Sequence, residues 1–238
     1  MKFAHELYEG ILIKRYKRFL ADIEMSDGSQ ITAHCANPGS MLGLKDPGQK
    51  VWLSKSDNPK RKLAYSWELI EVDGVIVGIN TFRPNALVEE AIGNGTIAEL
   101  QGYASLKREV KYGKNSRIDM LLRDEDKADC YVEVKNVHFL RSPGHFAFPD
   151  SVTARGAKHL DEMSDMVALG HRAVMVYLIQ RDDGDTLSIA EDLDPNYGAA
   201  FKRARANGVE AIAYACKMTP HGIEAYRNIP LVSSPSQV

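Results

Sequence analysis

RIDMLLRDEDKADCYVEVKN, residues 117–136, reads as two strands joined by a charged turn. The segment from Arg123 to Asp129 is too polar to be anything but an exposed loop. Symmetric pairing about Asp126 sets Leu122 opposite Cys130 and Asp119 opposite Glu133. Directly opposed side chains of an antiparallel pair have Cβ atoms about 4.5–5.5 Å apart. Two carboxylates at that spacing repel, and the pair is destabilising unless a cation lies between them. Period-two geometry puts Lys135 on the face of Glu133, roughly 7 Å along the strand. It sends Ile118, Met120, Val132 and Val134 to the opposite face, where they supply core.

A hard divalent ion such as Mg2+, or Mn2+ in its place, takes oxygen ligands: one or two carboxylates, waters and a substrate phosphate. Asp119 and Glu133 are the metal ligands this hairpin offers, with the Val134 carbonyl as a third. Such an ion lowers the pKa of a bound water and screens charge building on phosphorus oxygens. Lys135 can hold the attacking water or neutralise that charge. Glu90, placed inward on a preceding helix beside Leu87 and Ala91, completes the candidate catalytic set, whereas Glu89 reads as solvent-facing. The layout is that of a restriction-type nuclease. An Asp followed at a distance by Glu-x-Lys also recurs by chance. The alternative is a solvated sheet face with a Glu–Lys surface pair, so the surrounding elements must carry the argument.

Those elements run as follows. Pro84-Asn85 opens a helix with Asn85 as N-cap, and Thr96 with Glu99 has the form of a capping box for a second, short one. Strands are expected at Leu106–Lys111, Arg117–Leu122 and Cys130–His138. A long helix follows from about Val152 to Leu169, capped by Asp150 or Ser151 and striped with Leu160, Met163 and Val167. Ala173–Ile179 is apolar throughout, the mark of a strand buried on both faces. Asp194-Pro195 opens another helix, and Val209–Ala215 gives a final strand. The fold class is α/β (α+β overall), with residues 83–238 forming an αβββαβ restriction-endonuclease-like domain. Residues 1–82 read differently. Short alternating strands from Ile11 to Thr81, with turns at Ser26–Ser29 and Asp73-Gly74, suit an OB-like β-barrel.

Cations cluster in both halves. Lys14-Arg15-Tyr16-Lys17-Arg18-Phe19 interleaves charge with aromatic rings, and Lys60-Arg61-Lys62 lies near Trp52, Tyr65 and Trp67. Cations that track a backbone beside rings that stack bases are how OB-folds hold single strands. Lys107-Arg108, Lys111, Lys114 and Arg117 form a third cluster, and Arg155, Lys158, His159 and Glu162 share one face of the long helix. Each cluster alone can be an ordinary solvated face. Together they point to DNA, single-stranded or branched, with Arg15, Tyr16, Lys17, Arg18, Arg61, Lys62, Arg155, Lys158 and His159 as the candidate contacts. Neither His34-Cys35 nor His138, His145 and His159 has the ligand spacing of a zinc site. In 238 residues the net charge is −2, with 44% apolar and 26% charged residues, so the composition is globular and no global charge announces a partner. Three scattered cysteines without CxxC spacing argue against a disulfide framework. No run is long and apolar enough for a membrane span, and a cytoplasmic protein is expected. A homodimer is compatible with all of this.

Several blocks are also familiar. RYKRFLAD (15–22), HCANPGSM (34–41), RID (117–119), YVEVKN (131–136) and the stretch from Phe148-Pro149-Asp150 to His159 resemble the bacterial sugar fermentation stimulation protein A family along nearly the whole chain. That resemblance implies an N-terminal OB-like domain and a C-terminal PD-(D/E)xK nuclease-like domain. It also implies DNA binding and a role in transcription regulation of sugar-utilisation genes. The family's metal-site positions fall on Asp119, Glu133 and Lys135, with the helix acid on Glu90. Ala36 departs from the pattern, where proline is usual. Two readings follow: a metal-dependent phosphodiesterase acting on DNA, or a DNA-binding regulator that keeps the fold without turnover.

Overall fold

The computed structural model describes residues 1–113 and 116–233. Six strands come first: β1 (Tyr8–Tyr16), β2 (Leu20–Met25), β3 (Gln30–Cys35), β4 (Lys50–Lys55), β5 (Tyr65–Val72) and β6 (Val75–Gly78). The sheet runs β3-β2-β1-β4-β5-β6, and a parallel pairing of β3 with β5 closes the first five strands into a barrel. Alternate residues fill it: Leu12, Ala21, Ile23, Ala33, Cys35, Leu53 and Trp67 are buried together. Trp52 and Trp67 are both core residues, so neither presents a ring to a nucleic acid. The chain turns from β1 to β2 at Lys17 and Arg18, both at positive φ, which lifts their side chains off the strand. At the β5–β6 hairpin Asp73 and Gly74 also take positive φ, as a type I′ turn requires.

The second half begins with α1 (Pro84–Gly93) and a short 3-10 turn (Ala98–Leu100). Then come β7 (Ser105–Tyr112), β8 (Ser116–Asp124), β9 (Lys127–Val137), β10 (Leu140–Ser142) and β11 (Gly144–Phe148). The remainder is α2 (Ala154–Ala168), β12 (Arg172–Ile179), β13 (Gly184–Ile189), α3 (Pro195–Ala206), β14 (Glu210–Thr219) and β15 (Gly222–Asn228). A six-stranded mixed sheet of order β15-β14-β12-β9-β8-β7 forms the centre. β12 is parallel to both neighbours, and its residues are buried on both faces, as an all-apolar strand demands. Leu87, Val88 and Ala91 of α1 pack on one face with Met120, Val132 and Val176. On the other, Leu160 and Met163 of α2 and Tyr197 and Ala200 of α3 pack with Met175 and Tyr177. The fold is α+β: a closed OB-like barrel followed by a mixed sheet with helices on both faces. Four strands had no counterpart in the sequence reading: β10, β11 and β13 of the small sheet, and the last strand, β15.

The halves are joined by polar contacts. Glu68 of β5, its side chain 1% exposed, accepts from Ser54, Asn80 and both Nε and Nη2 of Arg83 just before α1. Gly78 of β6 donates to the Gln180 carbonyl, and a Cβ there would lie 2.6 Å from the Gln180 side chain. The first residues also cross over. Lys2 bridges to Gly222, and the Met1 ammonium donates to the Ile223 carbonyl.

Candidate metal centre

β8 and β9 pair as Leu122↔Cys130 and Met120↔Val132, the register symmetric about Asp126, with a shift only near the turn at Asp124↔Lys127. The ladder stops at Met120. Opposite, in β7, Glu109 adopts φ +54° and breaks the alternation. Ile118 therefore packs with Tyr112, Leu121 and Met166 on the α2 side, not with Met120 and Val132 as strict period two requires. The break leaves the Val134 N–H free of the ladder, and Asp119 Oδ2 accepts it at 2.8 Å. Asp119 Oδ1 accepts from Asn85 Nδ2, also at 2.8 Å.

Glu133 is 3% exposed. Its Oε1 accepts from Lys135 Nζ at 2.7 Å and lies in hydrogen-bond contact with His159 Nδ1. Arg155 Nε donates to His159 Nε2 at 3.2 Å, which leaves the ring proton on Nδ1, facing Glu133. Glu133 Oε2 is buried and has no hydrogen-bond partner among the described residues. A bare buried carboxylate oxygen costs desolvation energy that nothing in the fold returns, and a cation ligated there would remove the cost. Burial works to raise the Glu133 pKa, but the Lys135 ammonium and the His159 contact outweigh it and hold it below the usual range. Asp119 goes the other way: burial, with the neighbouring Glu133 charge, pushes it up against the pull of its two hydrogen bonds. The donor set suits a hard cation: two carboxylates, one with a free oxygen, and a lysine beside them. Among the described residues no three His, Cys, Asp or Glu side chains close around a common point, so an ion here would keep waters or substrate oxygens as its other ligands.

Other expected positions fall elsewhere. Glu90 is exposed and pairs with the Met1 ammonium at 2.8 Å. The buried stripe of α1 is Pro84, Leu87, Val88, Ala91 and Ile92, which leaves Glu90 outside it. Asn85 is the residue of α1 that reaches Asp119, with Glu89 one turn further on and 3.3 Å from Arg108. Asn85 is not a cap. The helix starts at Pro84 after Arg83 without a side-chain cap, so the Asn85 amide is free for Asp119. The Thr96–Glu99 box does not form either, because Glu99 accepts from Tyr214 and Asn228. His159 is buried on Glu133 and is not a surface contact, whereas Arg155 and Lys158 on the same helix are exposed. Buried beside them, Glu162 has, among the described residues, no hydrogen bond on either carboxylate oxygen and Lys158 as its ion partner, at 3.5 Å. Asn85 and Glu162 were missed as site residues. Their one sequence signal was helical spacing, from Asn85 to Glu89 and from His159 to Glu162.

The basic clusters divide by what holds them. Arg15 Nη2 donates to the Asn37 and Gly39 carbonyls, and Tyr16 Oη donates to Asp22, so both brace the barrel. Lys17 and Arg18 are exposed at their turn, and Lys62 is exposed as well. Arg61 is exposed and donates to Ser66. Lys107, Lys111 and Arg117 are exposed on β7 and β8, and Lys114 lies outside the described residues. All three cysteines are free and buried, and among the described residues no helix is long and apolar enough to cross a membrane.

Residues 13–79 match the SfsA N-terminal OB domain, and residues 82–222 match the sugar fermentation stimulation protein RE domain. A sugar fermentation stimulation protein homolog of Maricaulis maris is 55% identical over 227 residues, covering 95% of this chain and 97% of that protein. A homolog of Brucella anthropi is 57% identical over 231 residues, 97% of this chain and all of that one. The structure of Pyrococcus furiosus SfsA in complex with Ca2+ superposes with a TM-score of 0.88 at 24% identity, over 98% of each chain. Matched in both halves, and more than half identical to these bacterial relatives along nearly its whole length, the chain belongs to the sugar fermentation stimulation protein family.

Proposed function

We propose that Glu133 and Asp119 hold a divalent cation, Mg2+ or Mn2+, and that the protein hydrolyses phosphodiester bonds of DNA there. The observation that carries this reading is the buried, bare Oε2 of Glu133, beside an Asp119 whose pKa is raised. A bound cation supplies an acidified water and screens charge on the phosphorus oxygens. The chain's own groups do the rest. Asn85 and the Val134 N–H fix Asp119, while Lys135 and His159 fix Glu133 through Oε1 and leave Oε2 to ligate. Lys135 Nζ has further protons to offer an attacking water or a phosphate oxygen. Arg155 and Lys158, exposed on α2, and Lys107, Lys111 and Arg117 can take neighbouring phosphates. The Pyrococcus furiosus relative was solved with Ca2+, a hard cation of the same oxygen-seeking class. All of these groups come from one chain, so the chemistry requires no homodimer.

The test is incubation of labelled single-stranded, duplex and branched DNA with Mg2+ or Mn2+ against EDTA. Cleavage should require the metal. Glu133→Gln and Lys135→Ala should each slow it by about a hundredfold or more while leaving DNA affinity largely intact. Wild-type cleavage in both variants would end the assignment. DNA binding without any metal-dependent cleavage would instead support a regulator of sugar-utilisation genes.

A further inference from the structure

Among the described residues, five buried side-chain polar atoms have no hydrogen-bond partner, and four of them belong to Tyr112, Glu133 and Glu162. Tyr112 ends β7, Glu133 lies in β9 and Glu162 sits on α2, yet the three are neighbours. A Cβ on Gly113, next to Tyr112, would lie 3.1 Å from Glu162 Oε1. Tyr112 also packs with Met166, one turn beyond Glu162 on α2, while His159, one turn before it, contacts Glu133. Burial, and then the charges of Glu133, Glu162 and Asp119, push the Tyr112 hydroxyl above its usual range, so all three acids lie within electrostatic reach of it.

The bases nearby do not satisfy this group. Glu162 is 6% exposed and Tyr112 7%. Lys158 donates to Ser116 Oγ at 3.3 Å and stays 3.5 Å from Glu162 Oε1. Arg155 donates to His159, and Lys135 donates to Glu133 Oε1. A buried carboxylate with both oxygens bare is costly, and a neutral water would not offset its charge. Carboxylate oxygens only accept, so the fitting ligand brings positive charge and protons together. A hard divalent ion with its waters brings both. It bonds a carboxylate oxygen directly and turns the protons of its waters to other acceptors. The Tyr112 hydroxyl keeps its own proton, and its lone pairs can take one such water. No three His, Cys, Asp or Glu side chains close around one point among the described residues, so the ion would keep most of its waters.

We propose that Glu162 holds a second divalent cation, Mg2+ or Mn2+, beside the site of Glu133 and Asp119, with Tyr112 Oη bound to one of its waters. With one carboxylate as direct ligand, it is the weaker of the two ions. Its binding stands apart from hydrolysis; a part in phosphodiester chemistry, steadying the attacking or leaving oxygen, rests on the hydrolytic reading of Glu133. The test titrates Mn2+ alone into protein stripped with EDTA and dialysed free of it, with the bound ions counted by calorimetry. Wild type should bind a strong ion and a weaker one. Glu162→Gln should lose the weaker ion and keep the strong one, and Asp119→Asn should do the reverse. Tyr112→Phe should weaken the second ion about tenfold, as the loss of a group that orients a metal's shell does. Thermal melts in EDTA should show Glu162→Gln and Tyr112→Phe as stable as wild type or more so, since neither side chain gives up a hydrogen bond of the fold. A single ion in wild type, or a weaker ion that survives Glu162→Gln, overturns the second site. So does a Glu162→Gln protein that melts lower in EDTA and binds Mn2+ as wild type does, because Glu162 would then be the structural partner of Lys158. A strong ion untouched by Asp119→Asn would instead count against the first site, so the two readings fail in different variants.

Discussion

Glu133 and Asp119 are adjacent carboxylates whose pKa values are driven in opposite directions, and the cause is which donors each one meets. Glu133 has an ammonium and an imidazole N–H on one oxygen, while Asp119 has only neutral amide donors. That difference was not legible in residues 117–136, which supplied the Asp, the Glu and the Lys but not His159 or Asn85. Both partners come from helices outside the hairpin. Asp150, which sequence spacing makes a helix cap, likewise takes partners its own segment does not show: Ser40 and Met41 of the barrel half, and His138. Burial tends to raise its pKa, but the His138 contact and the Met41 N–H outweigh that and hold it at about 2, below an ordinary 3.8. A depressed carboxylate stabilises the fold above its unfolded pKa and loses that contribution as pH falls through the folded value. Asp150→Asn should therefore cost about 2 kcal/mol at neutral pH. The difference from wild type should shrink as pH is lowered from about 4 towards 2. Urea unfolding of both proteins across that range checks it, and a deficit that does not change with pH would contradict the assignment.

At the level of elements, β7, β8, β9, α2, β12 and α3 could be read from the chain because each has its own period and a clear stop. Caps could not. Asn85, Thr96, Asp150 and Ser151 all had suitable chemistry, yet Asn85 and Asp150 are held by partners far along the chain, and Glu99 of the proposed box is drawn to Tyr214. The cap of α2 is Thr153, which accepts from Gly156 N at 3.2 Å. A Cβ on Gly156 would lie 2.9 Å from that hydroxyl, so the first turn is tightly built. Thr153→Ala should lower stability by about 1 kcal/mol, read as a shift of the urea midpoint at constant slope. Because α2 carries His159 onto Glu133, the same variant should lose some metal-dependent cleavage if the proposed hydrolysis takes place there. An unchanged midpoint would mean that Asp194, which accepts the Thr153 N–H, carries the start of α2 alone.

Across the whole molecule, the barrel and the mixed sheet were each legible as patterns, but their junction was not. It depends on contacts such as Ser40 with Asp150 and Gly78 with Gln180, more than a hundred residues apart in the chain, where periodicity carries no information. The crossing of Met1 to Lys2 onto β15 escaped for the same reason. A ligand bound only by the folded chain stabilises all of it by mass action, by about 2.7 kcal/mol at a hundred times its dissociation constant. The central claim, that Glu133 with its bare oxygen and Asp119 form a cation site, is therefore tested by thermal melts of the intact protein in EDTA and across a Mn2+ titration. Wild type should gain stability with Mn2+, and Glu133→Gln and Asp119→Asn should lose most of that gain. Identical responses in all three proteins would contradict the claim.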